Sequence, residues 1–99
     1  MVVILFRSRL APDAGDEYGQ TAARMLELAR ALPGFVSFKA FTAGDGQRLS
    51  VIEFQSEADV AAWGSHPEHV AAQRRGREKF YAEYRLQVCE LQRSSEFRR

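Results

Sequence analysis

The residues best suited to chemistry lie together in the second half of the chain. The segment from Trp63 to His69, with Phe80, Tyr81 and Tyr84 beyond it, holds the only Trp, both His and two of the three Tyr. An imidazole exchanges protons near neutral pH, and an indole beside it would form a large apolar wall. That combination is typical of a site that removes a proton from a phenol or an enol.

The two histidines, His66 and His69, are three residues apart and would share one face of a helix. They lack a third metal ligand nearby, and their spacing is not that of the His-Glu-x-x-His zinc motif, so we predict no metal site. We expect His66 to be a surface or capping residue and His69 to be the catalytic base. The alternative for His69 is a partly buried ring bonded to a carbonyl group. Trp63 is either a wall of the pocket or a core residue that closes a short helix.

Four further residues are candidates for contact with a substrate. Tyr81 and Tyr84 are expected at the end of a helix, where each could point its hydroxyl into the pocket or cover the core. Arg7 and Ser8 lie near the end of the first strand, and alternation places their side chains on opposite faces of a sheet. At most one of them can therefore face a given cavity. Arg7 could hold a phenolate or a carboxylate, and the alternative is a solvated strand end.

Apolar periodicity and turn residues predict the elements that position these side chains. Strands are predicted at 2–9, 35–43, 47–55 and 85–93, and helices at 18–32, from Ser56 to near Trp63, and from Ser65 to about Tyr84. Gly44-Asp45-Gly46 predicts a tight hairpin turn between the second and third strands. Gly76 lies within the last helix, where it weakens the helix or allows a close backbone approach. The order β-α-β-β-α-β is the ferredoxin-like plan, an α+β antiparallel sheet with helices on one face.

The apolar pattern of the strands predicts a second subunit. A sheet with helices on one face should alternate apolar and polar residues. Instead Phe35, Phe38 and Phe41 fall on both faces, and the first strand is apolar on both. A chain of 99 residues has nothing left to cover the second face. A homodimer that packs sheet against sheet, a dimeric α+β barrel, is the simplest cover.

With this order in view, the chain resembles the antibiotic biosynthesis monooxygenase family of the dimeric α+β barrel superfamily. At residue level the resemblance rests on Phe54-x-Ser56-Glu57, Trp63-x-x-His66, Pro67-Glu68-His69 and Phe80-Tyr81-x-x-Tyr84. It implies a homodimer with a pocket in each subunit between the helices and the sheet. The family's oxygenases are described as needing no flavin, heme or metal. The anion of an electron-rich phenol or enol would itself pass an electron to O₂.

A heme-degrading branch of similar barrels has an Asn on the first strand, a Trp at the end of the short helix and a His ten residues later. Trp63 matches this pattern, but Gln73 stands ten residues after it and the first-strand position falls near Ser8. The missing axial His argues against heme degradation and leaves Gln73 as a substrate-binding candidate. Similar barrels include an isomerase and proteins of no assigned activity, so the resemblance is more specific for fold than for reaction.

Composition limits the remaining possibilities. Ninety-nine residues make one domain, 1–99, with a polar tail at 94–99. The net charge of +1 and the dispersed charges of the basic run 73–79 argue against nucleic acid as a partner. The apolar run 2–6 is too short to span a membrane and lacks the features of a signal peptide. The single Cys89 excludes an internal disulfide and is expected to be a small buried filler in a cytoplasmic protein.

Two classes of function remain open from the sequence. The first is a cofactor-independent monooxygenase that acts on an aromatic or quinol-type small molecule, with His69 and Trp63 as its catalytic residues. The second is a non-catalytic ligand-binding or stress-related dimeric barrel. Heme degradation, isomerisation, and nucleic-acid binding through the basic run are the weaker alternatives.

Overall fold

The computed structural model describes residues 1–99 and contains one four-stranded sheet and three α-helices. The strands are β1 (Val2–Leu10), β2 (Phe35–Thr42), β3 (Arg48–Phe54) and β4 (Tyr81–Glu90). The helices are α1 (Gly15–Arg30), α2 (Glu57–Gly64) and α3 (Pro67–Arg75), and a π-helical turn, Gly76–Phe80, joins α3 to β4. The order of elements agrees with the one that the sequence predicts.

The sheet is antiparallel throughout, with the strand order β2-β3-β1-β4. This is the ferredoxin-like arrangement, and the predicted fold class is confirmed. On β1 the buried residues Val2, Ile4 and Ser8 point towards the helices together with half-buried Phe6, and Val3, Leu5 and Arg7 point the other way. We call these two sides of the sheet the helix face and the open face.

Strand register decides which side chains stand next to each other on the helix face, because directly paired residues share a face. The rows across β3, β1 and β4 are Ile52–Ile4–Val88, Ser50–Phe6–Leu86 and Arg48–Ser8–Tyr84. The helix face therefore changes along β1 from an apolar end at Ile4 to a polar end at Ser8.

The hydrophobic core lies between α1, α2 and the apolar end of the helix face. Its central buried cluster consists of Ile4, Ala29, Phe54 and Trp63. Half-buried side chains pack around them: Met25, Leu28, Leu32, Phe35, Ile52 and Val60. Burying one large apolar side chain stabilises a fold by about 1.5–3 kcal/mol. Since only nine of the 99 residues are buried, each member of this core contributes a large share of the stability.

Two β-bulges change which aromatic side chains face the helices. In β2 the extra residue Val36 shifts the register, so that Phe35 and Phe38 both pair with helix-face residues of β3. Phe41 pairs with Leu49 on the open face. The prediction that these Phe residues occupy both faces is therefore correct.

The hairpin and the start of α2 form as predicted. Ala43 and Gln47 close the turn between β2 and β3, where the Ala43 N–H donates to the Gln47 carbonyl at 2.8 Å. Gly46 has a φ of 91°, a left-handed value that glycine adopts without strain. Ser56 caps α2, its Oγ accepting from the Asp59 N–H at 3.2 Å.

The predicted start of α3 at Ser65 is wrong by one residue. His66 is the N-cap, because its Nδ1 accepts a hydrogen bond from the Glu68 N–H at 3.2 Å. Pro67 then occupies the first turn, where its missing N–H leaves no bond unmade. The expectation that His66 is a surface or capping residue is confirmed.

The prediction that the last helix continues to Tyr84 is also wrong. The helix gives way to the π-helical turn at Gly76, and β4 begins at Tyr81 rather than at residue 85. Gly76 is buried, and a Cβ on it would lie 2.7 Å from Cε2 of the Tyr81 ring. The close backbone approach predicted for Gly76 is therefore present, and it lets the chain fold back onto the sheet.

The open face of the sheet is apolar at its centre and carries no helix. Val3, Leu5 and Val51 form this centre, and Phe41 on the outer strand β2 is 48% exposed. Cys89 pairs with Val3 on the same face and is exposed in the single chain. The prediction of a buried Cys89 is therefore wrong for one subunit.

Residues 91–99 carry no helix or strand, and all nine are exposed. Leu91 is joined to the sheet by one backbone bond, from its N–H to the Met1 carbonyl at 3.0 Å. None of the helices combines the length and the apolar character that a membrane span requires.

Replacing Gly76 with Ala should destabilise the protein by about 1–3 kcal/mol, the usual result of overpacking. The reason is the added Cβ, which would also come within 2.9 Å of Cδ2 of the Tyr81 ring. Urea unfolding would measure the change. Gly19→Ala is the matched control, because a Cβ at that helical position meets no atom within 4 Å, and it should stabilise α1 by up to about 1 kcal/mol. Equal unfolding midpoints for Gly76→Ala and the wild type would contradict the close approach.

Candidate active site

Trp63 and His69 form the centre of the candidate site. Trp63 ends α2 and is 7% exposed, and His69 lies in the first turn of α3. The bend between the two helices stacks the rings face to face, with centroids 3.9 Å apart and planes 10° from parallel. One side of the indole thus belongs to the core and the other supports the imidazole.

A hydrogen bond to the backbone fixes the orientation of the His69 ring. Its Nδ1 lies 2.9 Å from the carbonyl oxygen of Trp63. A carbonyl oxygen can only accept, so Nδ1 carries the proton and Nε2 keeps a free lone pair in the neutral ring. The amide of Gln73, one helical turn further on, lies 3.4 Å from the same Nδ1. Nε2 is therefore the atom of His69 that can take a proton from a ligand.

Burial keeps the His69 imidazole neutral at physiological pH. Loss of solvent contact lowers its pKa below the ordinary 6.5, and the positive charge that His66 can carry lowers it further. The hydrogen bond to the Trp63 carbonyl opposes these effects but does not reverse them. A neutral imidazole with a free Nε2 is the form that a general base requires.

Helix α3 is held to α1 by two bidentate ion pairs. The Arg24 guanidinium donates to both carboxylate oxygens of Glu68 at 3.1 Å, and Arg75 donates to those of Glu17 at 2.7 and 2.8 Å. Helix α3 packs on α1 and α2 and has no comparable contact with any strand. It therefore stands away from the β4 side of the sheet.

An apolar strip of the sheet is left uncovered below α3. Leu86 is 55% exposed, Val88 44% and Tyr84 42%, although all three lie on the helix face. Half-buried Phe6 continues the strip on β1. We call these four side chains the cleft floor. An exposed apolar strip of this kind can bind the apolar part of a ligand.

Tyr81 and Tyr84 both turn towards the helices because of a bulge in β4. The extra residue Ala82 shifts the register between Arg9 and Leu10, which brings the two tyrosines onto the same face. Each ring centroid lies 5.3 Å from that of Phe6. These tyrosines therefore lie in a strand, and the prediction that they end a helix is wrong.

Tyr18 makes a second aromatic contact with Tyr81. The Tyr18 ring of α1 lies edge-on to Tyr81, with centroids 6.0 Å apart. Burial of Tyr81, with a smaller effect of Tyr18, holds the pKa of its phenol well above the ordinary value. The hydroxyl consequently stays protonated and can donate a hydrogen bond.

The structure places Arg7 and Ser8 on opposite faces of the sheet. Ser8 is buried on the helix face beside Tyr84, whereas Arg7 lies on the open face and its Nε donates to Gln87 Oε1 at 3.1 Å. The expectation that at most one of this pair could face a given cavity is nevertheless wrong, because both line one hollow at the edge of the sheet. Of the predicted substrate-binding residues, Ser8, Tyr81 and Tyr84 lie on the helix face, Gln73 lies beside His69, and Arg7 lies on the open face.

A separate shallow hollow of about 400 Å³ lies where β1 and β4 meet the hairpin. Its lining is mostly polar: Arg7, Ser8, Gln47, Glu83, Tyr84, Arg85 and Gln87. Neither Trp63 nor His69 contributes to it, so it does not contain the proposed base. No group of three or more His, Cys, Asp or Glu side chains is placed to hold a metal ion.

Sequence reasoning missed Phe6, Tyr18 and Arg48, which surround the predicted residues. Phe6 links the two tyrosines, and the Arg48 guanidinium lies 5.2 Å from the centroid of the Tyr18 ring. Alternation along β1 could have placed Phe6 on the same face as Ser8. Tyr18 and Arg48 become neighbours only through the packing of α1 on β3, which has no local signal in the sequence.

The fold recurs in solved structures of other bacterial proteins. A putative antibiotic biosynthesis monooxygenase from Deinococcus radiodurans superposes with a TM-score of 0.84 at 10% identity, over 99% of each chain. A mutant of SnoaB, a cofactor-independent oxygenase from Streptomyces nogalater, superposes with a TM-score of 0.78 at 13% identity, over 94% of each chain. At such low identity these similarities establish the fold.

Sequence comparison establishes the family. The chain is 35% identical over 80 residues to YqjZ, an uncharacterized protein of Bacillus subtilis (strain 168). These 80 residues are 81% of this chain and 70% of YqjZ. Residues 1–75 match the sequence model of the family described as antibiotic biosynthesis monooxygenase. The matched range includes Trp63, His69 and Gln73. The chain therefore belongs to the antibiotic biosynthesis monooxygenase family.

Proposed function

We propose that the protein is a cofactor-independent monooxygenase that acts on an electron-rich phenolic or quinol-type aromatic molecule. The observation that carries this proposal is the His69 ring, neutral through burial, stacked on Trp63 and hydrogen-bonded so that Nε2 is free. The cleft floor, on the helix face of the same sheet, offers an apolar surface for an aromatic ring. SnoaB, which shares the fold, is a cofactor-independent oxygenase.

The proposed reaction begins when His69 Nε2 takes a proton from the bound phenol or enol. The resulting anion transfers one electron to O₂, and the substrate radical and superoxide combine to form a carbon–oxygen bond. If the reacting carbon is a CH₂ group, it loses both hydrogens. One oxygen atom becomes its carbonyl oxygen and the other leaves as water, so CH₂ + O₂ gives C=O + H₂O. All four electrons come from the substrate, and no added reductant is needed.

The aromatic side chains would support this reaction in two ways. Trp63 holds the His69 ring in one orientation, which keeps the base pointed at the ligand. The protonated phenol of Tyr81 can donate a hydrogen bond to the developing anion, a role that a deprotonated tyrosine could not fill. The high pKa of Tyr81 maintains this donor state.

We also propose that the working form is a homodimer joined through the open face. The apolar centre of that face, with Val3, Leu5 and Val51, has no cover within the chain. A two-fold packing of this face on itself would bury the same patch in both subunits, together with Cys89. A free thiol is also compatible with the reducing cytoplasm, the compartment included in this proposal.

A second candidate function is ligand binding without turnover. The exposed cleft floor supports it, because an aromatic molecule could bind to Leu86 and Val88 whether or not a proton is removed. The two functions differ in one measurable respect, namely whether bound ligand consumes oxygen.

Replacing His69 with Phe should lower turnover by roughly a hundredfold or more, a typical loss for a general base. Phe keeps a flat ring on Trp63 but has no nitrogen. The Trp63 carbonyl would still accept from the His66 N–H at 3.2 Å, so the change leaves no buried carbonyl unpaired. Oxygen uptake on a panel of dihydroxy-aromatic compounds, corrected for autoxidation, is the readout.

His66→Asn is the matched control for this experiment. Asn can cap α3 in place of the imidazole, and His66 is not part of the proposed reaction. Its turnover should equal that of the wild type. Full activity in His69→Phe would exclude His69 as the base. Tight binding of an aromatic compound without oxygen uptake by the wild type would instead support the binding-only alternative.

The rate should fall in acid as His69 becomes protonated. A base acts in its neutral form, so kcat/KM should be constant above the His69 pKa and decline as the pH falls through it. Because burial lowers this pKa, the decline should be centred below pH 6.5. NMR titration of the His69 ring should give the same midpoint. A decline centred above pH 6.5 would show that another group controls the rate.

Light scattering at micromolar concentration should give about twice the chain mass of 11.2 kDa. Leu5→Glu should reduce this value to that of one chain, since it places a charge at the centre of the apolar open face. Ala23→Glu adds the same charge on the exposed side of α1 and should remain dimeric. A wild-type protein that is monomeric and fully folded would refute the proposed interface.

A further inference from the structure

One row of side chains crosses the polar end of the helix face on all four strands. Thr42 of β2 pairs with Arg48 of β3, Arg48 pairs with Ser8 of β1, and Ser8 pairs with Tyr84 of β4. Three of these residues carry hydroxyl groups and the fourth carries a guanidinium. We call this set the donor row, because each member can donate hydrogen bonds and none is a carboxylate.

Arg48 supplies a positive charge that no group in the chain neutralises. It makes no ion pair, whereas Arg9, Arg24 and Arg75 each bind a carboxylate. Its guanidinium lies 5.2 Å from the centroid of the Tyr18 ring. Arg48 is half-buried on the helix face of β3. The unpaired charge on the helix face is therefore available to an external anion.

The other charges around Arg48 do not change this conclusion. Arg9, at the same end of the sheet, is held by Asp45 at 2.8 Å and by Glu83 at 3.1 Å, so both carboxylates are occupied. Glu90 is the only other charged residue among the paired helix-face positions. It lies at the opposite end of the sheet, 3.6 Å from the amino terminus.

There is space beside Arg48 for a ligand group. A hollow of about 380 Å³ opens there, and its lining includes Arg9, Leu10, Thr42 and Gly46. On the other side, Ser8 and Tyr84 connect the donor row to the cleft floor, since Tyr84 belongs to both. A molecule lying on Phe6 and Leu86 would thus have one end near the donor row.

We propose that the donor row is a binding subsite for a carboxylate carried by the aromatic substrate, with Arg48 as its main contact. The inference rests on the proposed function, in which the cleft floor holds the aromatic part. The guanidinium can form two parallel hydrogen bonds with a carboxylate, and the hydroxyl of Thr42, which lines the same hollow, can donate a further one. The preferred substrate is then an aromatic acid rather than a neutral phenol.

The position of the subsite also orients the substrate. Ser8 lies four residues along β1 from Ile4, and Ile4 packs with Trp63. Four residues correspond to roughly 13 Å of strand. A carboxylate bound at Arg48 therefore points away from His69. The carbon that reacts must lie towards the other end of the ring system, near the imidazole.

Binding of two matched ligands, measured without oxygen, tests this proposal. A dihydroxynaphthoate and the corresponding dihydroxynaphthalene differ by one carboxylate, and quenching of the single Trp63 reports their binding. The wild type should bind the acid at least about tenfold more tightly, as expected for a charge-assisted contact. Arg48→Gln should remove that preference and leave the affinity for the neutral compound unchanged.

Two controls make the result specific. Arg77→Gln removes the same charge from an exposed position outside the cleft and should keep the preference. Arg48→Lys keeps the positive charge but lacks the planar guanidinium, so it should retain part of the preference for the acid. This variant also shows whether position 48 tolerates substitution. Competition with inorganic phosphate at the same ionic strength distinguishes a free-anion site from a site for an aromatic acid.

Equal affinity of the wild type for both ligands, or no binding of either, would overturn the subsite. So would a preference for the acid that survives in Arg48→Gln, or displacement of the acid by phosphate at equal concentration. None of these outcomes depends on turnover. If the wild type prefers the acid but consumes no oxygen with it, the result would therefore count against the monooxygenase proposal alone.

Discussion

The stack of His69 on Trp63 is the contact on which both the core and the candidate site depend. Trp63 packs with Ile4, Ala29 and Phe54 on one side, so its position is determined by the same burial that stabilises the fold. On the other side it supports the imidazole and binds Nδ1 through its own carbonyl. The base is thus oriented by two contacts with a residue that cannot move without disturbing the core.

The uncovered cleft is a direct result of how α3 is attached. The ion pairs Arg24–Glu68 and Arg75–Glu17 join α3 to α1 rather than to β4. The first pair is exposed and the second is half-buried, and pairs near the surface contribute little to stability. Their effect here is on position, because they keep the helix away from the apolar side chains of β4. If α3 lay closer to β4, it would bury those side chains and leave no place for a ligand.

Local patterns in the sequence were sufficient for most of the fold. The hairpin at 44–46, the Ser56 cap and the order of elements depend on neighbouring residues, and all three are present. The helix to Tyr84 failed because Tyr81 and Tyr84 are three residues apart, which is helical spacing, while a bulge creates the same spacing in a strand. The contact between Trp63 and His69 was predictable from the bend between two helices. The donor row was not, since strand register sets it and is a property of the assembled sheet.

The two bulges lie on β2 and β4, the outer strands of the sheet. An outer strand pairs on one side only, so an extra residue there disturbs a single ladder and leaves the central pairing of β1 with β3 intact. Deleting Ala82 would remove the bulge and leave Tyr81 opposite Leu10 on the helix face, because Glu83 and Tyr81 would keep their partners on β1. A bulge at these edges can therefore absorb the gain or loss of one residue while the side chains on either side keep their faces. Related proteins could differ by one residue in an outer strand and still retain both the core and the residues that line the helix face.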